Sequence, residues 1–229
     1  MSSKDSIEYI HANLTEYLLV FEVVLEIISI KKDTFVALEQ QSHYDCILAS
    51  NSSSFISREL LGKVKDEIKT HVLITHFMMP PQPIGILPTQ ALIVELMTSG
   101  RTARNIFPFL SQEMVKCGLK PVTAKRESSG FIFNPTKHEV LMVIAEGVAD
   151  AQTIDRVWMD IYQSPAGPCT MMGVGLDTVE HIETNYVQKR HLPRTTLEWL
   201  HKHYVIQGKL GNKCNKGGLY PVPAPGEKT

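Results

Sequence analysis

From Leu18 to Leu96 the chain repeats one unit: a short apolar run with strand character, then a stretch whose apolar residues return at helical spacing. The strand runs are Leu18-Leu-Val-Phe-Glu-Val-Val-Leu25, Asp45-Cys-Ile-Leu-Ala49, His71-Val-Leu-Ile-Thr75 and Ala91-Leu-Ile-Val-Glu-Leu96. A nearly unbroken apolar run is expected of a strand buried on both faces of a parallel sheet. Between the runs, Lys31 to Gln41 reads as a helix with Phe35 and Leu38 inward. Ser50-Asn-Ser-Ser-Ser54 opens another, with Leu60, Leu61, Val64 and Ile68 on one side. This alternation predicts an α/β fold with a parallel sheet and right-handed crossovers. Ala103 to Lys116 adds an amphipathic helix closed by Gly118, where helices favour glycine. Lys120 to Lys125 is expected to be the last strand.

Ahead of the first run, Ile7, Ile10 and Leu14 keep helical spacing and predict a short opening helix. After Gly130 the pattern changes to helix alone. Lys137 to Gly147, Ala151 to Tyr162 and Asp177 to Gln188 carry apolar residues at helical intervals, and Pro193 starts one more with Leu197, Leu200 and Tyr204 inward. Gly208 to Thr229 is rich in Gly, Pro and Lys and reads as an extended, exposed tail. The expected division is therefore 1–128 for the sheet-bearing domain, 129–207 for a helical domain and 208–229 for the tail.

The 229 residues suffice for a large domain or two smaller ones. With 43% apolar residues, 21% charged and a net charge of −1, no basic stripe points to nucleic acid; a small-molecule partner is expected instead. Cys46, Cys117, Cys169 and Cys214 form no CxxC pair, so neither a zinc site nor a disulfide framework is suggested, and no metal is expected. No run approaches the ~20 apolar residues of a membrane-spanning helix, and the N-terminus lacks the pattern of a signal peptide. A cytoplasmic protein with no membrane partner is expected.

Chemistry concentrates around His76, which emerges at the end of a strand, where α/β proteins place their sites. Glu95 is the one carboxylate in an apolar run, and burying it is costly unless something pairs with it. An imidazole oriented by a carboxylate makes a general acid/base near neutral pH. The plainer alternative is a hydrogen-bonded core histidine and a solvated edge glutamate.

Several separated segments, in order, resemble the L-3-hydroxyacyl-CoA dehydrogenase family. Leu18 to Lys32 resembles the family's strand ending in two glutamates followed by a lysine. ASNSSSF at Ala49 to Phe55 resembles its ASNTSS turn, His76 to Pro81 its HFFNP segment, and Val94-Glu95 the carboxylate that partners the histidine. Gly130 to Asn134 resembles GF(I/V)xN, and Gly167-Pro168 with Gly175-Leu-Asp177 resembles GP…GLD. Gly208-Lys-Leu-Gly211 with Lys216-Gly217 resembles the family's GKxGxKxGxG tail. The resemblance implies a partial Rossmann-like sheet followed by an all-helical C-terminal domain, and a homodimer. It implies His76 as general acid/base, Glu95 as its support, and Ser53 and Asn134 as substrate contacts. Glu26 and Lys31 stand where the family meets its nicotinamide cofactor. Against these roles stand simpler ones: helix capping for Ser53, and a solvated helix end for Lys31.

The departures shape the functional expectation. A glycine-rich GxGxxG turn holds a dinucleotide's pyrophosphate, and none occurs before Leu18. Met79, a further substrate-contact position, stands where the family has asparagine, and the PPQPIGILPTQ stretch lengthens the gap between His76 and Glu95. The expectation is therefore a non-redox acid/base enzyme without a cofactor, in which Glu26 and Lys31 are vestigial. It would dehydrate, isomerise or cyclise an oxygenated small molecule. The alternatives are an NAD-dependent 3-hydroxyacyl-CoA dehydrogenase-like oxidoreductase seen as a fragment, and a non-catalytic binding pseudoenzyme. The edge of the first strand is expected to be covered by the opening helix, the tail or a second subunit.

Overall fold

The structure, a computed structural model, describes residues 18–77, 93–130, 132–173 and 175–222. The expected opening helix lies outside them. The chain divides into two compact units, Met1–Ser129 and Gly130–Thr229.

The first unit contains β1 (Leu19–Glu22), α1 (Ile28–Gln41), β2 (Ile47–Ser50), a single helical turn α2 (Ser57–Leu60), β3 (Val72–Phe77), β4 (Ile93–Thr98), α3 (Ile106–Lys116) and β5 (Lys120–Thr123). The five strands lie in the order β1-β2-β3-β4-β5. β1, β2 and β3 are parallel. β4 corrects the all-parallel expectation: it runs antiparallel to β3, and β5 runs parallel to β4. Apolar content marks a run as a strand but carries no direction, so the reversal had no signature in composition.

Side chains alternate across the sheet as the two-residue strand period requires. Leu48, Val72, Ile74 and Met97 pack on one face with Phe35 and Leu38 of α1. Ile47, Ala49, Leu73, Val94 and Leu96 pack on the other with Ile106, Leu110 and Met114 of α3. The helix expected after the serine turn is shorter than its spacing suggested. It is one α turn followed by a 3-10 turn at Leu61–Lys63, and a second 3-10 turn precedes β3 at Ile68–His71. Leu60, Leu61 and Val64 are nevertheless buried in the α1-side core.

The second unit is helical throughout its described residues: α4 (Phe133–Ala145), α5 (Ala151–Tyr162), α6 (Pro168–Met172), α7 (Leu176–Arg190) and α8 (Thr195–Leu200), which continues into a π-helical turn, His201–Val205. Val140, Leu141, Cys169, Met172, Leu176, Val179 and Leu200 form its core. Asp150 caps α5 by accepting from the Thr153 N–H at 2.7 Å. The apolar residues of α5 do not all turn inward: Val157, Ile161 and Tyr162 are exposed, while Ala151 and Asp155 are buried.

The stretch expected as an exposed tail is folded as far as it is described. Leu219 and Tyr220 pack on the helical core, and the Tyr220 hydroxyl donates to buried Asp155 at 2.7 Å. Asp155 also accepts from the N–H groups of Cys169 and Thr170, at 2.8 and 2.7 Å. Gly and Pro content suggested an extended, exposed tail, but two well-placed apolar side chains and one hydrogen bond to a charge hold the segment down. No helix among the described residues is long and apolar enough to cross a membrane.

Candidate active site

The strand alternation that builds the α1-side core also places a row of polar residues at the carboxyl ends of the parallel strands. Following Val20, Leu48 and Ile74 outward on that face come Glu22, Ser50 and His76. Glu95 joins them from β4, where it stands in register opposite His76. Directly opposed residues on antiparallel strands present their side chains to the same face. His76 Nδ1 and Glu95 Oε2 lie 2.8 Å apart, and both residues are buried. The pairing that the long intervening stretch put in question is therefore made by strand register. The plainer alternative of a solvated glutamate does not hold.

A carboxylate only accepts, so the ring nitrogen facing it must carry a proton, and in the neutral ring Nε2 keeps the lone pair. Glu95 Oε1 is buried and has no hydrogen-bond partner among the described residues. Among the described residues the charge of this carboxylate is thus directed at a single polar partner, the imidazole.

A second cluster forms where β1 leads into α1. Lys31, 1% exposed, reaches back to Glu22 Oε1 at 2.9 Å, the Val24 carbonyl at 3.2 Å and Glu26 Oε2 at 3.2 Å. The solvated helix end considered for Lys31 is wrong, because two buried carboxylates draw its ammonium inward. Ser50 Oγ donates to Glu22 Oε2 at 2.6 Å. Ser52 Oγ, Ser54 Oγ and the Ser54 N–H donate to Glu26 Oε1 at 2.7 to 2.8 Å. Burial alone would raise the Glu26 pKa. The charge of Lys31 and the hydrogen bonds from Ser52 and Ser54 outweigh it and hold the carboxyl below its ordinary value.

The serine-rich turn is thus not the cap of a long helix; it ties the end of β2 to the loop after β1. Ser53 sits in this turn and is partly exposed. Asn51, which the sequence did not single out, accepts from the Phe77 N–H at 2.9 Å and so joins the turn to the residue after His76. Its position in the ASN tripeptide at the end of a strand was the available signal. Met79 lies outside the described residues. Asn134 belongs to the helical unit, on the first turn of α4, and is buried. No three His, Cys, Asp or Glu side chains gather as a metal-binding group among the described residues.

Two family models match successive parts of this chain. Residues 5–128 match the NAD binding domain of 3-hydroxyacyl-CoA dehydrogenase, and residues 130–220 match its C-terminal domain. The chain belongs to the 3-hydroxyacyl-CoA dehydrogenase family. It is 46% identical over 160 residues to the 3-hydroxyacyl-CoA dehydrogenase-like protein LAM1 of Cochliobolus heterostrophus, a match covering 67% of this chain but 32% of that one. The chain thus spans about a third of that relative's length. To the 3-hydroxybutyryl-CoA dehydrogenase of Clostridioides difficile it is 31% identical over 212 residues, covering 90% of this chain and 72% of the other. Among solved structures, FadB2 of M. tuberculosis superposes with a TM-score of 0.71 at 26% identity, covering 92% and 72% of the two chains.

These matches overturn the non-redox expectation. The family models are those of a dehydrogenase, and the relative aligned over most of this chain is named as one, not as a lyase, isomerase or cyclase. The earlier inference leaned on a missing glycine-rich turn, but the absence of one stretch does not say what the residues present can do. The dehydrogenase-like alternative is the reading these findings favour.

Proposed function

We propose that this chain serves an NAD-linked oxidoreductase that interconverts a 3-hydroxyacyl thioester and its 3-oxo form, with His76 as general acid/base. The observation that carries the reading is the buried His76 Nδ1–Glu95 Oε2 hydrogen bond of 2.8 Å at the carboxyl end of the parallel strands. In the oxidative direction Nε2 removes the hydroxyl proton as the carbinol carbon becomes a carbonyl; in reduction it returns that proton. Glu95 holds the ring in the required tautomer and lies against the imidazolium that forms. Ser53 and Asn134 contact the substrate oxygen on this reading, as the family resemblance implies.

The residues present fit the nicotinamide end of the cofactor. Glu22, Glu26 and Lys31 together carry two carboxylates for one ammonium, a formally negative surround that suits a cationic pyridinium ring. Glu26 and Lys31 are the groups that would meet it. Bound NAD supplies the acceptor for the hydride leaving the carbinol carbon. The first glycine of the sequence is Gly62, so these residues provide no glycine-rich cradle for the pyrophosphate.

The domain boundary expected after residue 128 is supported by the two family models, which meet there. Assembly as a homodimer is supported by the exposed Val157, Ile161 and Tyr162 on α5. A cytoplasmic setting is supported by four unpaired cysteines.

The test is NADH formation from NAD and 3-hydroxybutyryl-CoA by the full chain, compared with His76→Ala. Turnover that collapses in the variant supports the proposal. Equal rates in both proteins, or no NADH from the unsubstituted chain, overturns it.

A further inference from the structure

The helical unit holds a cavity of about 460 Å³ that the acid/base chemistry does not use. It opens where the π-helical turn after α8 meets the folded end of the chain. The turn contributes His203 and Tyr204, and the residues after it contribute Lys209, Lys216 and Tyr220. Single π-helical turns are rare and recur at functional sites. All of these residues belong to one unit, so the cavity is complete within it.

The charge around the cavity is one-sided. Two lysines and a histidine line it, and no Asp or Glu among the described residues does. The stretch from Gly208 to Gly217 carries three lysines, which fall into two groups. Lys213, outside the cavity, is satisfied: its ammonium donates to Asp177 Oδ1 at 2.9 Å and to the Thr178 hydroxyl at 2.8 Å. Lys209 and Lys216 have no carboxylate partner among the described residues, and the Lys216 ammonium reaches the Gln207 carbonyl at 3.4 Å. An ammonium has three donors and no acceptor, so most of its donating capacity is left for a ligand. Lys209 is half-buried, and covering a charge without a countercharge is costly. A bound anion removes that cost.

The backbone is shaped to place Lys216 there. Gly208 has φ +69°, and a Cβ on it would stand 3.3 Å from Lys216 Nζ. Glycine takes this conformation freely and lets the ammonium lie close over the chain beside Gln207.

Two ammonium groups match the charge of a phosphate monoester, about −1.5 to −2 at pH 7, better than they match the single charge of a carboxylate. The cavity is also far larger than a phosphate needs, and lies in the range of about 300–1,000 Å³ typical of small-molecule sites. Tyr204, Tyr220, Pro221 and Val222 give it an apolar side. The Tyr220 hydroxyl is already committed to Asp155, so its ring is what it has to offer.

We propose that this cavity binds a phosphate monoester with an apolar body: Lys209 and Lys216 hold the phosphate, and the Tyr204 and Tyr220 rings line the space for the body. Such binding needs neither the oxidoreductase chemistry nor any particular placement of the two units.

The experiment is calorimetric titration of the full chain with phenyl phosphate, inorganic phosphate and benzoate, with the His203 ring signals followed by NMR. Phenyl phosphate should bind and shift those signals. Inorganic phosphate, which lacks the body, and benzoate, which lacks the second charge, should each bind at least about tenfold more weakly. Lys209→Ala and Lys216→Ala should each weaken phenyl phosphate about tenfold or more. Lys202→Ala removes an exposed lysine beside His203 that does not line the cavity, and should leave the affinity within about threefold. If an alanine variant does not fold, the glutamine variant at the same position replaces it. No heat and no His203 shift at millimolar phenyl phosphate overturns the proposal. So does inorganic phosphate or benzoate binding as tightly as phenyl phosphate, or a loss in Lys202→Ala equal to the other two, which would reduce the site to diffuse positive charge.

Discussion

The described residues contain two buried histidine–glutamate pairs of similar geometry, one in each unit, and they are built for different work. His76 and Glu95 face each other across antiparallel strands at the end of a sheet. His138 and Glu183 face each other between two helices in a core. The difference lies in how the carboxylate is shared. Glu95 serves one imidazole, with its second oxygen unpartnered among the described residues. Glu183 is divided among His138, Thr196 and Lys137. A carboxylate committed to one ring can follow that ring through a protonation cycle; one that also balances an ammonium is committed to holding a structure together.

The largest expected effect tests the first half of this contrast. His76→Ala should lower kcat by about 10²–10⁴-fold; a variant within a few-fold of wild type would erase the distinction. Next, the two carboxylates should differ in what their loss does to stability. Glu183→Gln removes the countercharge of a buried ammonium and should cost about 3–5 kcal/mol, whereas Glu95→Gln keeps an acceptor for His76 and should cost about 1 kcal/mol. Urea unfolding of both variants compares them directly, and equal losses would show that the sharing of Glu183 is irrelevant. Thr196→Val removes a single hydrogen bond to Glu183 and should cost about 1.5–3 kcal/mol, with turnover altered less than in Glu95→Gln.

The smallest effect concerns the third carboxylate group. The Glu26 pKa is held below 4.5 in the folded protein, so its contribution to stability is present above pH 4.5 and is lost as pH falls through the folded value. Glu26→Gln should flatten the acid limb of a stability–pH curve. An unchanged limb would mean that the Lys31 cluster does not act as the contacts imply.

Much of this was legible from residue pattern. Leu18–Leu25, Ala91–Leu96 and the helices at Ala151 and Asp177 were placed within a few residues of the observed elements, because period and apolarity mark an element's type. The seven motif resemblances placed His76 and Glu95. The direction of β4 was not legible, since a strand run reads the same either way. Lys31 looked like a surface residue because the partners that draw it inward, Glu22 and Glu26, must first be folded against it.

Lys137 and His138 could have been caught. With Asn134 and Leu141 they fall at helical intervals on one stripe, and an apolar residue on that stripe signals that its polar neighbours are buried too. The helical spacing of that stretch rests on Val140, Leu141 and Ile144. The tail misled for the opposite reason: its composition outweighed Leu219 and Tyr220, which anchor it.

Because the registration of two hydrogen-bonded strands, rather than chain length, brings His76 to Glu95, the number of residues separating them is freed from the chemistry. The free-energy penalty of a longer connection grows only logarithmically, so relatives could gain or lose many residues between β3 and β4 while the proton-transfer pair stays put.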